Sequence, residues 1–150
     1  MPTHYKGDPK EVQALDTFIK FTRAANTFET RIFQHAAIED LTPSQFGILE
    51  TLYHLGPLCQ SEVSAKLLKS TGNVTLVLDN LEKRGLVKRE RGTKDRRIVQ
   101  IYLTQVGEDQ IRRIFPQMVS TIMDELSILT SEEQIELGRL CRIIGKNTRQ

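Results

Sequence analysis

Cysteine is scarce in this chain, tryptophan is absent, and aromatic residues fill only 6% of its 150 positions. The two cysteines, Cys59 and Cys141, stand far apart and outside any CxxC or Cys/His cluster, so neither a zinc site nor a disulfide framework is indicated. His4, His35 and His54 share no metal-ligand spacing, and no metal or cofactor is expected. No apolar run approaches the roughly 20 residues of a membrane-spanning helix, and the polar start Met1-Pro2-Thr3-His4-Tyr5-Lys6 has no signal-peptide core. The expectation is a soluble, cytoplasmic protein without a membrane partner. Nucleophile-base signatures, a glycine-rich phosphate loop and H-E-x-x-H are all missing as well, which argues against an enzyme. Only a catalytic constellation assembled from distant residues would escape that test.

What is present is an uneven charge. Residues 83–97 hold Lys83, Arg84, Lys88, Arg89, Arg91, Lys94, Arg96 and Arg97 against Glu90 and Asp95, a net +6. The whole chain is only +2, so the remainder carries −4. A basic segment in an otherwise acidic chain is the footprint expected for a polyanion such as double-stranded DNA, although a solvated charged loop has the same composition.

Hydrophobic periodicity organises the rest. Val12, Leu15, Phe18, Ile19, Phe28, Ile32 and Phe33 recur at helical spacing, predicting one long helix over 12–36. Thr42-Pro43-Ser44-Gln45 combines a cap, a first-turn proline and a capping-box glutamine, so a second helix should run to about Leu55, where Gly56-Pro57 stops it. A short helix over 61–68 follows. Ser70 then caps a helix with Val74, Val77, Leu78 and Leu81 on its core face, ending near Gly85. At about 100° per residue the opposite face presents Gly72, Leu76, Asp79 and Lys83, flanked by Asn73 and Thr75. Two short segments with β-type residues, 86–91 and 98–103, predict a hairpin with a basic tip. Thr104 opens a long helix carrying Ile111, Phe115, Met118, Ile122 and Leu126, with Pro116 expected to bend it, and Thr130-Ser131-Glu132-Glu133 starts a last one. Nearly 50 residues of apolar terminal helix exceed what a small winged core covers, which points to a homodimer interface.

Two short helices followed by a basic hairpin make a winged helix-turn-helix in a mainly α chain. The second short helix is the reader: its first turn offers free N–H groups to a phosphate, and Thr71, Asn73, Thr75 and Leu76 face the base edges of a major groove. Asn and Thr can hydrogen-bond bases, and Leu76 can touch a thymine methyl. Lys83, Arg84 and Lys88 suit phosphates, and Arg96 or Arg97, beside Lys94 at the wing tip, suits a minor groove. Asp95 would orient a neighbouring arginine, since DNA repels it.

The run from Ser70-Thr71-Gly72-Asn73-Val74-Thr75 through Leu81-Glu82-Lys83-Arg84-Gly85-Leu86-Val87, then Asp95-Arg96-Arg97 and Leu103-Thr104, resembles the MarR family. The resemblance extends over the whole chain as a single unit of residues 1–150. It implies a winged DNA-binding lobe over 38–104, with dimerisation helices over 9–37 and 105–148. It also implies an obligate homodimer on a near-palindromic operator, a wing stabilised by Asp95 and Arg97, and Arg97 in the minor groove. Most members repress transcription, and many release DNA when a small aromatic ligand or an oxidant acts. Two departures stand out. Leu76 occupies a position where many members have arginine, and the start of the first helix lacks the reactive cysteine of redox-sensing members.

Cys59 precedes the short third helix, where the helix dipole can activate a thiol, but a small packing residue is the commoner use of such a position. Cys141 belongs to the apolar stripe of the last helix. A crevice beside the dimer helices is a natural effector pocket, for which Phe18, Phe21 and Tyr53 are candidates, with core packing as the alternative for each. Two other functions fit parts of the pattern: a winged-helix protein-interaction scaffold without an operator, and a cysteine-switched regulator.

Overall fold

The computed structural model describes residues 4–67 and 71–147. Its elements follow in the order α1 (Pro9–His35), α2 (Pro43–Leu55), β1 (Leu58–Cys59), α3 (Gln60–Leu67), α4 (Thr71–Lys83), β2 (Val87–Arg91), β3 (Val99–Leu103), α5 (Gln105–Leu126) and α6 (Ser131–Gly145). The fold is mainly helical with one small antiparallel sheet, as the sequence pattern predicts. The chain divides into two compact units. One spans residues 37–118, and the other joins the residues up to 36 with those from 119 onward.

In the 37–118 unit, α2, α3 and α4 bury Phe46, Ile48, Leu49, Leu52, Val63, Val74, Leu78 and Leu81, and the sheet adds Val87 and Ile101. The first half of α5 closes this core with Ile111, Ile114 and Met118. The sheet has three strands in the order β1-β3-β2, with Leu58 opposite Ile101 and Arg89 opposite Ile101 on the other side. The two-stranded hairpin expected from the sequence is thus extended by β1. A strand of two residues has no periodicity to read, and Gly56-Pro57 signals only the end of α2.

Caps set the helix boundaries. Thr42–Gln45 and Thr130–Glu133 form the expected capping boxes, and Asp8–Glu11 forms a third, with Pro9 in its first turn, so α1 begins earlier than its apolar stripe suggests. Ser70, the expected cap of α4, lies outside the described residues. At the other end of α4, Gly85 at φ 72° donates its N–H to the Glu82 carbonyl while Leu86 N–H reaches that of Leu81, a Schellman closure that turns the chain into β2. α5 runs unbroken through Pro116, which has no N–H to donate.

Gly85 and Leu86 are then locked to the start of α5. The Thr104 hydroxyl donates to the Gly85 carbonyl at 2.5 Å, Thr104 N–H to the Leu86 carbonyl at 3.1 Å, and Gly107 N–H to the Thr104 hydroxyl at 3.1 Å. Gly107 lies so close to this turn that a Cβ there would meet the Leu86 carbonyl oxygen at 2.0 Å.

The second unit is built differently. α1, the end of α5 and α6 bury little: no residue of α6 is buried, and Ile135, Leu137, Leu140, Ile143 and Ile144 are all exposed. Arg31 pairs with Glu125 at 2.7 Å, and His35 adds a contact to the same carboxylate at 3.3 Å. The hydrogen bond from Arg31 first, and the contact with His35 after it, hold Glu125 below the ordinary glutamate range. Among the described residues no helix is long and apolar enough to cross a membrane.

Two substitutions separate crowding from unmet polarity in the 37–118 core. Gly107→Ala should lower unfolding free energy by about 3 kcal/mol, because backbone must shift to admit the Cβ. Ser64 is 7% exposed and its hydroxyl has no hydrogen-bond partner among the described residues, so Ser64→Ala should be neutral or stabilise by up to about 1 kcal/mol. Denaturant melts of both variants check the pair.

Candidate nucleic-acid interface

The α3–α4 pair forms the helix-turn-helix, and its second helix, α4, is braced both from the sheet and from α2. From the sheet, Arg89 of β2 shares a strand face with the buried Val87. Its guanidinium meets Asp79 at 2.7 Å, Glu82 at 3.4 Å and the Thr75 carbonyl at 3.5 Å, and its own N–H donates to Glu82 at 3.0 Å. From α2, the Gln45 side-chain amide donates to Asn80 at 2.7 Å while its carbonyl accepts from Arg84 at 3.2 Å and from Thr42 N–H at 2.9 Å. The sequence shows Gln45 only as a capping residue.

Arg84 is committed inward as well. It pairs with Asp40 at 2.6 Å, and Gln110 of α5 reaches Asp40 at 3.4 Å and Glu39 at 3.1 Å. Arg113 completes the chain of contacts on Glu39 at 2.8 Å and holds that carboxyl below its ordinary range, while Asp40 is lowered by a backbone hydrogen bond first and by Arg84 second. Glu39 itself occupies the left-handed region at φ 56°, uncommon outside glycine. This network ties the α1–α2 connection, the end of α4 and the first half of α5 together within one unit.

The outward face of α4 carries Asn73, Leu76, Asp79 and Lys83, all exposed, with Leu76 at 70%. Thr75 is half-buried and accepts a 2.5 Å hydrogen bond from Gln60 of α3, so it joins the two helices as much as it faces out. Thr71 and Gly72 form the first turn of α4.

The wing is a turn between β2 and β3. Gly92 N–H donates to the Ile98 carbonyl at 2.8 Å and Ile98 N–H to that of Asp95 at 3.2 Å. A Cβ on Gly92 would stand 2.8 Å from the Asp95 carbonyl oxygen, so the turn leaves no room for a side chain there. Asp95 accepts from Arg97 N–H at 3.0 Å and from its guanidinium at 3.2 and 3.3 Å, and these bonds hold its carboxyl below the ordinary range. The Arg97 side chain remains 91% exposed. An exposed pair of this kind adds little stability but fixes direction. Arg91 bonds the Arg96 carbonyl at 3.0 Å, bracing the same turn.

The +6 of residues 83–97 is therefore partly spent inside the unit. Arg84 and Arg89 are paired to acids outside the segment, and Lys88 to Glu90 at 2.8 Å, a bond that raises its pKa, with the Tyr102 ring 5.5 Å away. Lys83, Lys94 and Arg96 have no ion pair among the described residues.

Cys59 caps α3. Its N–H donates to Glu62 at 2.8 Å, which lowers that carboxyl, and its sulfur lies 3.1 Å from the Ser61 hydroxyl. Among the described residues no cluster of His, Cys, Asp or Glu is suited to hold a metal. Tyr53 sits in the winged unit, edge-on to His54 at 5.1 Å, with His54 in turn against Phe115 at 4.9 Å. Phe18 and Phe21 belong to the other unit and line a hollow of about 510 Å³ with Ile144. Phe21 also borders an apolar hollow of about 590 Å³ with Phe28, Leu126, Leu137 and Cys141, at which Arg31 and Glu125 supply the charge.

Comparison with known proteins agrees with this geometry. The MarR family model matches residues 41–99, the stretch from the start of α2 to the wing. The HTH-type transcriptional regulator MhqR of Bacillus subtilis is 30% identical over 138 residues, covering 92% of this chain and 95% of that protein. A crystal structure of a probable transcriptional regulator from Pseudomonas aeruginosa superposes with a TM-score of 0.75 at 27% identity, over 86% of this chain and 98% of its own. BpsR of Bordetella bronchiseptica, whose DNA binding is regulated by 6-hydroxynicotinic acid, shares the fold at 20% identity and a TM-score of 0.77, over 97% and 99% of the two chains. A winged unit of this build, with similarity extending over nearly the full length, makes the chain a member of the MarR family of transcriptional regulators. The family is not enzymatic, as the missing catalytic signatures suggest.

The wing pair gives a pH test with a definite sign. Because Asp95 is lowered by Arg97, its contribution is complete above the ordinary aspartate pKa of about 3.9 and is lost as pH falls through its lower folded value. The Arg97 backbone amide, followed by NMR, should titrate below pH 3.9, and Asp95→Asn should abolish that titration.

Proposed function

We propose that this regulator is a sequence-specific DNA-binding repressor. It acts as a homodimer on a near-palindromic operator and is released by a small aromatic ligand. The observation that carries DNA reading is the union, in one braced unit, of an exposed α4 face and a wing whose exposed Arg97 is held by Asp95. In this reading Asn73, Thr75 and Leu76 meet base edges, Thr71 and Gly72 bring the first-turn N–H groups to a phosphate, and Arg97 enters the minor groove. Lys83, Lys94 and Arg96 take phosphates. Arg84 and Lys88, engaged by Asp40 and Glu90, serve as struts in preference to phosphate contacts.

The homodimer is supported by α6. Its apolar side chains have no core to enter in this chain, and a second copy would cover them and place two reading helices roughly 34 Å apart. The ligand is supported by the 590 Å³ hollow, whose volume suits a small molecule, and by the aromatic acid that regulates BpsR. The hollow belongs to the same unit as α6, so in this proposal ligand occupancy and dimer geometry are linked. Cys59, whose N–H bonds Glu62 and whose sulfur lies against the Ser61 hydroxyl, gives no particular support to a redox switch.

Selection against a randomised DNA library should enrich an inverted repeat, with log affinity falling against log salt by about 0.9 per phosphate neutralised. Arg97→Ala should cost about 1–3 kcal/mol on that sequence while leaving folding intact. A double Ile143→Asp, Ile144→Glu chain should be monomeric by light scattering and lose the inverted repeat. If that chain remains dimeric, the assigned interface is wrong.

A further inference from the structure

The residue types along α4 restrict which bases it can read. Between Thr71 and Lys83 there is no arginine and no glutamine. The bidentate arginine–guanine contact, the commonest specific contact in a major groove, is therefore unavailable from this helix. Asp79, an acceptor suited to cytosine, is engaged by Arg89 at 2.7 Å. Lys83 lies seven residues beyond Leu76, about 10 Å along the axis, at the C-terminal end.

Near the middle of the outward face stands Leu76. At 70% it is the most exposed large apolar side chain described in the 37–118 unit, ahead of Val106 at 62%, Leu55 at 53% and Ile98 at 46%. A single exposed leucine is ordinary on a protein surface. This one follows Thr75, whose carbonyl is held by Arg89, and precedes Asp79, held by the same guanidinium, so its position on the face is set by the wing strand.

We propose that α4 reads an A·T step, with Leu76 packed on a thymine 5-methyl group. The inference rests on the DNA-reading function proposed above and adds the base class of the half-site. An apolar side chain has no donor or acceptor for a base edge, and the thymine methyl is the apolar group that a major groove presents to it.

The test uses the operator obtained by selection, with each thymine replaced singly by uracil, which removes only the methyl group. Affinities are measured for the unmodified protein and for Leu76→Ala, whose folding is checked by thermal melting. One thymine per half-site should weaken the unmodified protein about fourfold on replacement, the value of one buried methyl-sized group, and leave Leu76→Ala unaffected. The proposal is overturned if uracil weakens both proteins alike at every position, or if the bases facing α4 are selected as G·C. A library that yields no enriched sequence overturns the DNA-reading function itself, and this inference with it.

Discussion

The guanidinium of Arg89 is the contact on which the geometry of the reading surface depends. It sits on the wing strand with its side chain only 22% exposed and meets two carboxylates and one backbone carbonyl of α4. Charge-assisted bonds of this kind are stronger than neutral ones, and a planar fork distributes them over about two turns of helix. The consequence is mechanical. α4 and the wing cannot take up independent orientations while Arg89 holds both, so in the proposed function the helix and Arg97 would meet DNA as one preset body. Preorganisation of that sort lowers the ordering cost of binding. The Gln45–Asn80 bond and the Arg84–Asp40 pair hold the same helix from the opposite side.

Much of the architecture is legible in the sequence because it rests on local chemistry. The capping boxes at Thr42 and Thr130, the Val74-Leu78-Leu81 stripe and the glycine closure of α4 each need only a few neighbouring residues. The Asp95–Arg97 pair is also local. Other features escape because their partners are distant. The two residues of β1 acquire strand character only by pairing with β3. Arg84 reads as a free cation until Asp40, 44 residues away in the chain, is placed beside it. Arg89 had a usable signal: period-two alternation puts it on the face of the buried Val87, unlike Lys88 between them. The Asp8-Pro9-Lys10-Glu11 cap was equally readable.

The two units make opposite demands on their surroundings. The winged unit closes its own core and spends its polar groups in internal networks, whereas the helical unit leaves the whole of α6 unburied. In the homodimer proposed above, the rigid winged unit keeps its specificity while a second copy supplies the core that the α6 apolar side chains lack. The first half of α5 reaches the Arg84 network through Gln110 and Arg113.

The claim that Arg89 makes helix and wing one reading body is tested most directly by Arg89→Met, which keeps the apolar stem and removes the fork. Specific and non-specific DNA affinities of the variant would be measured alongside amide hydrogen exchange in α4. Loss of the charged contacts predicts a folded protein with faster exchange from Thr75 to Glu82 and specific affinity reduced about tenfold or more, non-specific affinity changing little. An unchanged ratio of specific to non-specific affinity would contradict the account.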